Sequence, residues 1–305
     1  MLPAHRRSSP GLWYRIGVVS LCLSSSLCAQ GPLVLQSDFG LSEGSVAAMK
    51  GAAMSVSRDL LIFDLTHSIE RFSVWEAAFR LKENTPYWPP GTVFVSVVDP
   101  GVGTDQMSVV LKTESGHYFV SPDNGSLMFV AEEFGIEELR EIEVDAVPAG
   151  SSARYHTFRG RDIYAVAGAR LASGLVFFSQ IGRRLKPKVV QIEHVRAHIE
   201  GGLIHGTIPV VDLRFGNVWS NIEIGHFEEL GIETGDVVQV QVMHMGKLKY
   251  DARLPFASTF ADVPQGEGLI FVNNIGGISM AINRGDFART HDIRSGPEWT
   301  VRFAP

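Results

Sequence analysis

Two hydrophobic rhythms divide the chain, and they restrict its fold more than any other feature. From Leu33 to about Gly182, short apolar runs alternate with amphipathic stretches. Leu33–Gln36 and Leu60–Leu65 (LLIFDL) read as strands, the second of them buried, and Thr92–Val98 (TVFVSVV) is β-branched as in a parallel sheet covered on both faces. Between them, 44–56 is helical by pattern, with Val46, Met49, Ala53 and Val56 on one side. A second helix is predicted over 73–84, where Ser73 and Glu76 fit a capping box. Strands at 108–112 and 117–121 and a helix over 161–173, stopped by Gly174, complete the pattern. Such alternation predicts a layered, Rossmann-like α/β domain. Beyond Lys186-Pro187-Lys188 the rhythm changes to strict alternation, as in 237–242 (VVQVQV), with Gly-rich turns and further strands at 199–211 and 268–282. This predicts a smaller, barrel-like all-β domain. The expected division is 31–188 and 189–305, and 305 residues suit two domains.

Residues 1–30 stand apart. His5, Arg6, Arg7 and Arg15 precede or open a short, mostly apolar run (16–28, IGVVSLCLSSSLC). Small residues near Ser26 and Ala29 follow, the pattern of a secretory signal peptide. Its removal would take three arginines and no acid from 27 basic and 33 acidic residues, moving the net charge from −6 to −9. Both cysteines, Cys22 and Cys28, would leave with it, so the mature chain would lack a disulfide, a thiolate nucleophile and a Cys-zinc site. An exported protein with no membrane span in its mature part is the expectation. No Lys/Arg block interleaved with aromatics occurs, so nucleic acid is not an expected partner.

Several strands of the first domain run into small polar loops: Ser37-Asp38-Phe39-Gly40, Asp64-Leu65-Thr66-His67, Asp99-Pro100-Gly101-Val102-Gly103-Thr104 and Pro122-Asp123-Asn124-Gly125. Open α/β sheets bind ligands beyond the carboxyl ends of their strands. Acidic loops suit a cationic or polyhydroxyl ligand better than a phosphate. Gly101-Val102-Gly103 lacks the third glycine of a dinucleotide fingerprint, and neither a P-loop nor a G-x-S-x-G elbow occurs. His194 and His198 are spaced i, i+4 without H-E-x-x-H and read as a solvent-facing pair, not a metal site. In the second domain, 212–217 (DLRFGN) places a carboxylate, an aromatic and an amide within six residues.

Taken in order, SDFG (37–40), DLTHSIERFSVWEAAF (64–79), GTVFVSVVDPGVGT (91–104), FVSPDNGSL (119–127), TFRGRDIYA (157–165) and DLRFGN (212–217) resemble the SAM hydroxide adenosyltransferases, relatives of the SAM-dependent fluorinases and chlorinases. The resemblance implies hydrolysis of S-adenosyl-L-methionine (SAM) to adenosine and L-methionine, with no metal or further cofactor. It implies a homotrimer whose sites lie between the first domain of one subunit and the second domain of its neighbour. By position, Asp38 would hold the ribose hydroxyls and Phe72 would lie beside the ligand. Asp212 would bind the methionine ammonium and Asn217 the adenine. Phe215, and Asn274 in the 273–283 stretch (NNIGGISMAIN) that closes over the base, complete the expected binding set.

The hydrolytic branch resembled here holds its water with an Asp–Arg–His triad. The Asp is present as Asp99, but Gln106 stands at the Arg position and Arg159 at the His position. The formal charge is conserved, which suggests a relocated cation, with Arg159 pairing with Asp99 and Gln106 orienting the water. Arginine cannot act as a base, so Asp99 would take the proton. His156, three residues from Arg159, would point to the other face of an extended strand. Three readings follow: a hydrolase with an altered triad, a non-catalytic SAM- or adenosine-binding protein, and adenosyl transfer to another nucleophile. A carboxylate at 99 disfavours halide, because the halogenases resembled carry an uncharged residue there.

Overall fold

A computed structural model describes residues 31–143 and 158–305. The expected signal peptide and His156 lie outside the described residues. The first part of the chain contains β1 (Leu33–Ser37), α1 (Ser45–Val56), β2 (Ile62–Thr66), α2 (Val74–Asn84), β3 (Val93–Val97), β4 (Ser108–Lys112), β5 (Tyr118–Pro122), α3 (Met128–Phe134) and β6 (Glu138–Glu141). A π-helical turn (Gly160–Ala165) then leads into α4 (Val166–Ala172). The strands form one six-stranded sheet in the order β2-β1-β3-β5-β4-β6. β2, β1, β3 and β5 are parallel, while β4 is antiparallel to both its neighbours.

Alternation along β1 decides which face each helix covers. Leu33 and Leu35 pack with Met49 and Ala53 of α1, whereas Val34 packs with Leu81 of α2. The helices therefore lie on opposite faces of the sheet. β3 is buried along its whole length, as expected for a central strand. β2 is not: it is an edge strand, and Leu61 and Phe63 are exposed. An apolar run does not distinguish a central strand from an edge one.

Ser73 caps α2 by accepting from the Glu76 amide at 3.2 Å, a contact worth ~1 kcal/mol. Glu76 does not complete the capping box. Its carboxylate instead accepts from the Glu70 amide at 3.0 Å. The predicted helix at 161–173 is a π turn followed by an α-helix, and Gly174 (φ +70°) ends it with an amide bond to Leu171 O.

The second part holds β7 (His198–Glu200), β8 (Leu203–Ile208), β9 (Val210–Val211), β10 (Val218–Glu223), α5 (Ile224–Glu229), β11 (Val237–His244), β12 (Lys247–Pro255), β13 (Gly268–Val272), β14 (Gly277–Ile282), α6 (Phe287–Thr290) and β15 (Gly296–Ala304). They build a four-stranded sheet, β13-β14-β10-β9, and a five-stranded sheet, β12-β11-β15-β8-β7. Every strand pairing in both is antiparallel. Their inner faces share one core, where Val218, Ile278 and Met280 meet Val240, Val301 and Phe303. The predicted strand at 199–211 is broken by Gly201 and Gly202, both at positive φ, and 268–282 is a hairpin.

The two parts are joined by packing. Trp75, Phe79, Met128 and Phe129 bury against Val210 and Trp219. The Trp75 indole donates to Ile208 O at 3.3 Å. His194 belongs to this joint, its ring edge-on to Trp75 and Phe129, while His198 stacks on His205. The expected solvent-facing pair is therefore two unrelated histidines. Among the described residues, no helix is long and apolar enough to cross a membrane.

Candidate functional site

The chain passes from β1 to β2 on one side of β1, then crosses back to β3 on the other. The first segments beyond β1 and β3 therefore diverge, opening a crevice at their carboxyl ends. Asp38 follows β1 directly, and Asp99 lies just beyond β3. A cavity of about 350 Å³ opens here, and Asp38, Phe72, Asp99 and Arg159 all line it. Phe39 and Phe158, edge-on at 5.5 Å, with Val97, supply its apolar surface.

Asp38 uses one oxygen structurally. Its Oδ2 accepts from the Phe72 amide at 2.9 Å, while Oδ1 has no partner among the described residues. Phe72 sits at φ +68°, the left-handed region that L-residues avoid. The Asp38 bond pins it there, and its ring stays 66 % exposed beside the cavity.

Asp99 is held from one side. The Gln106 amide donates to its Oδ1 at 3.0 Å, and its buried Oδ2 has no partner. Gly101 makes the contact possible: a Cβ there would stand 2.6 Å from Gln106 Oε1.

Arg159 does not pair with Asp99. No nitrogen of Arg159 comes within 4.0 Å of an Asp99 oxygen, and Arg159 Nη2 instead donates to Ser108 Oγ at 2.6 Å. Ser108 also bonds the Tyr164 hydroxyl at 3.0 Å. Burial pushes the Tyr164 phenol up to about 12, so it stays protonated at neutral pH. The expected roles are thus rearranged. Gln106 takes the direct contact with Asp99, and Arg159 is anchored on Ser108 at the start of β4.

Two of the four polar loops do other work. Asp64 bonds Lys50 and His67, and Asp123 Oδ1 accepts from the Val190 amide at 2.9 Å. Asn124 donates to Val98 O. Residues that the motifs did not single out, Glu43, Ser45 and Arg71, also line the cavity. Ser108 and Tyr164 carried no signal in the sequence, because their role depends on the fold bringing β4 to the π turn.

The residues expected on the second domain are not at this cavity. Asp212 closes its own loop, its Oδ1 accepting from the Arg214 and Phe215 amides at 3.0 and 3.2 Å. Gly216 (φ +66°) lies against Asp286, where a Cβ would clash. Phe215 is 67 % exposed. Asn217 is only 8 % exposed, yet its amide has no partner among the described residues. Asn274 is exposed, and its neighbour Asn273 holds the turn through Ser279 Oγ and the Ile275 and Gly277 amides.

The chain matches family models along most of its length. Residues 33–182 match the SAM hydroxide adenosyltransferase N-terminal domain, and residues 206–300 the C-terminal domain. It is 33 % identical to an (R)-S-adenosyl-L-methionine hydrolase of Methanocaldococcus jannaschii, over 75 % of this chain and 80 % of that one. A fluorinase of an Actinoplanes species is 30 % identical, over 89 % and 97 %. A crystal structure of an uncharacterized conserved protein from Thermotoga maritima superposes with a TM-score of 0.81 at 33 % identity, covering 90 % of this chain and all (100 %) of that one. Both halves of the chain, in order, thus match one family, and the chain belongs to the SAM hydroxide adenosyltransferases.

Proposed function

We propose that the protein hydrolyses SAM to adenosine and L-methionine through an altered water-holding group. The observation that carries this is Asp99: Gln106 fixes one oxygen, and the other is buried, unpartnered and at the cavity. A carboxylate so held can accept a proton from water while Gln106 keeps it oriented. In the reaction, water oxygen bonds to C5′ as the C5′–sulfur bond breaks. The sulfonium leaves as neutral thioether, and the water's proton passes to Asp99. Charge disperses in the transition state, so the apolar wall of Phe39, Phe158 and Val97 favours the step. Arg159, tied to Ser108, makes no ion pair with Asp99 and so does not compete for that oxygen.

In this reading Asp38 Oδ1 takes the ribose hydroxyls, and Phe72 flanks the nucleoside. Asp212, Phe215, Asn217 and Asn274 come from a second copy, and by the family resemblance the working unit is a homotrimer. The Asn217 amide makes no side-chain hydrogen bond among the described residues and can donate and accept together, which supports an adenine-binding role. The reaction needs no metal or cofactor. Residues 1–30 direct export, which would place the protein away from the site of SAM synthesis. A second reading, binding without turnover, draws on the same substitutions: neither Gln106 nor Arg159 can take a proton.

Turnover in oxygen-18 water tests the reaction. The label is expected on the adenosine 5′-hydroxyl; adenosine without label there would contradict attack of water at C5′.

A further inference from the structure

Beneath the cavity a polar chain leads from two buried side chains, Ser37 and His67, out to Asp64 and Lys50 at the surface. Ser37 Oγ lies 2.7 Å from His67 Nδ1, His67 Nε2 lies 3.0 Å from Asp64 Oδ1, and Asp64 Oδ2 meets Lys50 Nζ at 2.6 Å. Ser37 ends β1, His67 follows β2 and Lys50 lies on α1, so three elements are tied together. Asp64 only accepts, so Nε2 carries the proton and Nδ1 accepts from the Ser37 hydroxyl. That fixes the hydroxyl rotor and turns an Oγ lone pair to the Phe39 amide at 3.3 Å. His67 O also accepts from the Gly40 amide at 2.8 Å. Both bonds hold the turn that carries Asp38.

The Ser–His–Asp order is that of an acyl-transfer triad, but the geometry excludes that use. Ser37 is 0 % exposed and does not line the cavity, so no substrate reaches its oxygen. Ser37 and His67 are the buried members, and a buried polar pair is costly unless both are satisfied; an apolar pair would fill the same space. What it supplies is a fixed direction for the next residue.

We propose that His67 is a positioning residue that acts through Ser37 to aim Asp38, and so sets the preference for a ligand with an intact ribose diol. The proposal rests on the reading of Asp38 as the ribose-holding carboxylate. The effect is expected chiefly on the diol, because the chain's bonds go to the backbone of the turn that carries Asp38, at the Phe39 and Gly40 amides, and not to the Phe39 ring that faces the cavity.

The test is titration calorimetry of the full protein with adenosine and with 2′-deoxyadenosine. The wild type is expected to favour adenosine by about tenfold or more, as for a hydrogen bond to a charged group. Asp38→Ala removes that preference. Ser37→Ala and His67→Leu lower it in the same way while 2′-deoxyadenosine binding holds. His67→Asn, which keeps an acceptor near the Nδ1 position, retains it. Should His67→Leu fail to fold, Ser37→Ala carries the comparison. A preference unchanged in Ser37→Ala, or both nucleosides weakened equally, would overturn the positioning role while leaving Asp38 in place. No preference in the wild type, or one that survives Asp38→Ala, would overturn the reading of Asp38 and the proposal with it.

Discussion

Gln106 donates to Asp99 Oδ1 at 3.0 Å with its amide packed over Gly101, where a Cβ would stand 2.6 Å from Gln106 Oε1 and displace it. Its amide fixes Oδ1, while the buried Oδ2 has no hydrogen-bond partner among the described residues. Gly101→Ala is therefore expected to push Gln106 off Asp99 and to lower turnover about tenfold or more, with nucleoside affinity little changed. Steady-state kinetics with adenosine calorimetry checks this; equal turnover would show that the Gln106 contact is dispensable.

The pair Gln106→Arg and Arg159→His restores the residue types of the hydrolytic branch. A cation would then stand directly at Asp99, and an imidazole near Ser108 in place of a guanidinium. Faster SAM turnover is expected, by about tenfold or more. A folded, SAM-binding double variant with no gain would remove the link between these substitutions and rate.

Tyr164→Phe deletes the phenol that bonds Ser108. The loss should be about 1 kcal/mol in urea unfolding. Ser108→Ala removes both the Tyr164 and Arg159 contacts, so it should change turnover more than Tyr164→Phe does. If Tyr164→Phe changed turnover as much, Arg159 would not depend on Ser108.

Burial lowers the His67 pKa below its ordinary 6.5, against the pull of Asp64. The neutral ring is thus favoured in the folded state. Its contribution to stability is complete above about pH 6.5 and is lost as pH falls through the lowered folded value. Asp64 feels burial as an upward push, but its bonds to Lys50 and His67 hold it below 3.8, and its contribution is lost only at more acid pH. Wild-type stability should therefore fall between pH 7 and 5, and His67→Asn should flatten that slope. An identical slope in the variant would assign it elsewhere.

Trp75→Ala opens the joint between the two parts of the chain. A loss of about 3–5 kcal/mol is expected for a buried indole. Denaturation followed by two probes, one in each part, should show the transitions separating; a single unshifted transition would mean the parts are coupled by other contacts.

How much of this was legible in the sequence depended on whether the signal was local. β3 was readable because a central strand is apolar on both faces. β2 carried the same composition, yet lies at an edge, since strand order is a long-range property. Gly201-Gly202 breaks a strand that periodicity alone reads as continuous. The residues alone did not separate the loops at Asp38 and Asp99 from those at Asp64 and Asp123, whose carboxylates serve Lys50, His67 and the Val190 amide; the family resemblance did. The change at Arg159 was visible as a residue, while its partner was not: Ser108 is 51 positions away and meets it only when β4 runs antiparallel beside β5.

The most direct measurement is incubation of the purified protein with SAM, with adenosine and methionine followed by chromatography and mass detection, in wild type and Asp99→Asn. Both products are expected above the protein-free control, with a fall of about 100-fold or more in Asp99→Asn while adenosine binding is retained. Saturable binding of SAM with no product from the wild type, or product formed equally by Asp99→Asn, would contradict hydrolysis through Asp99.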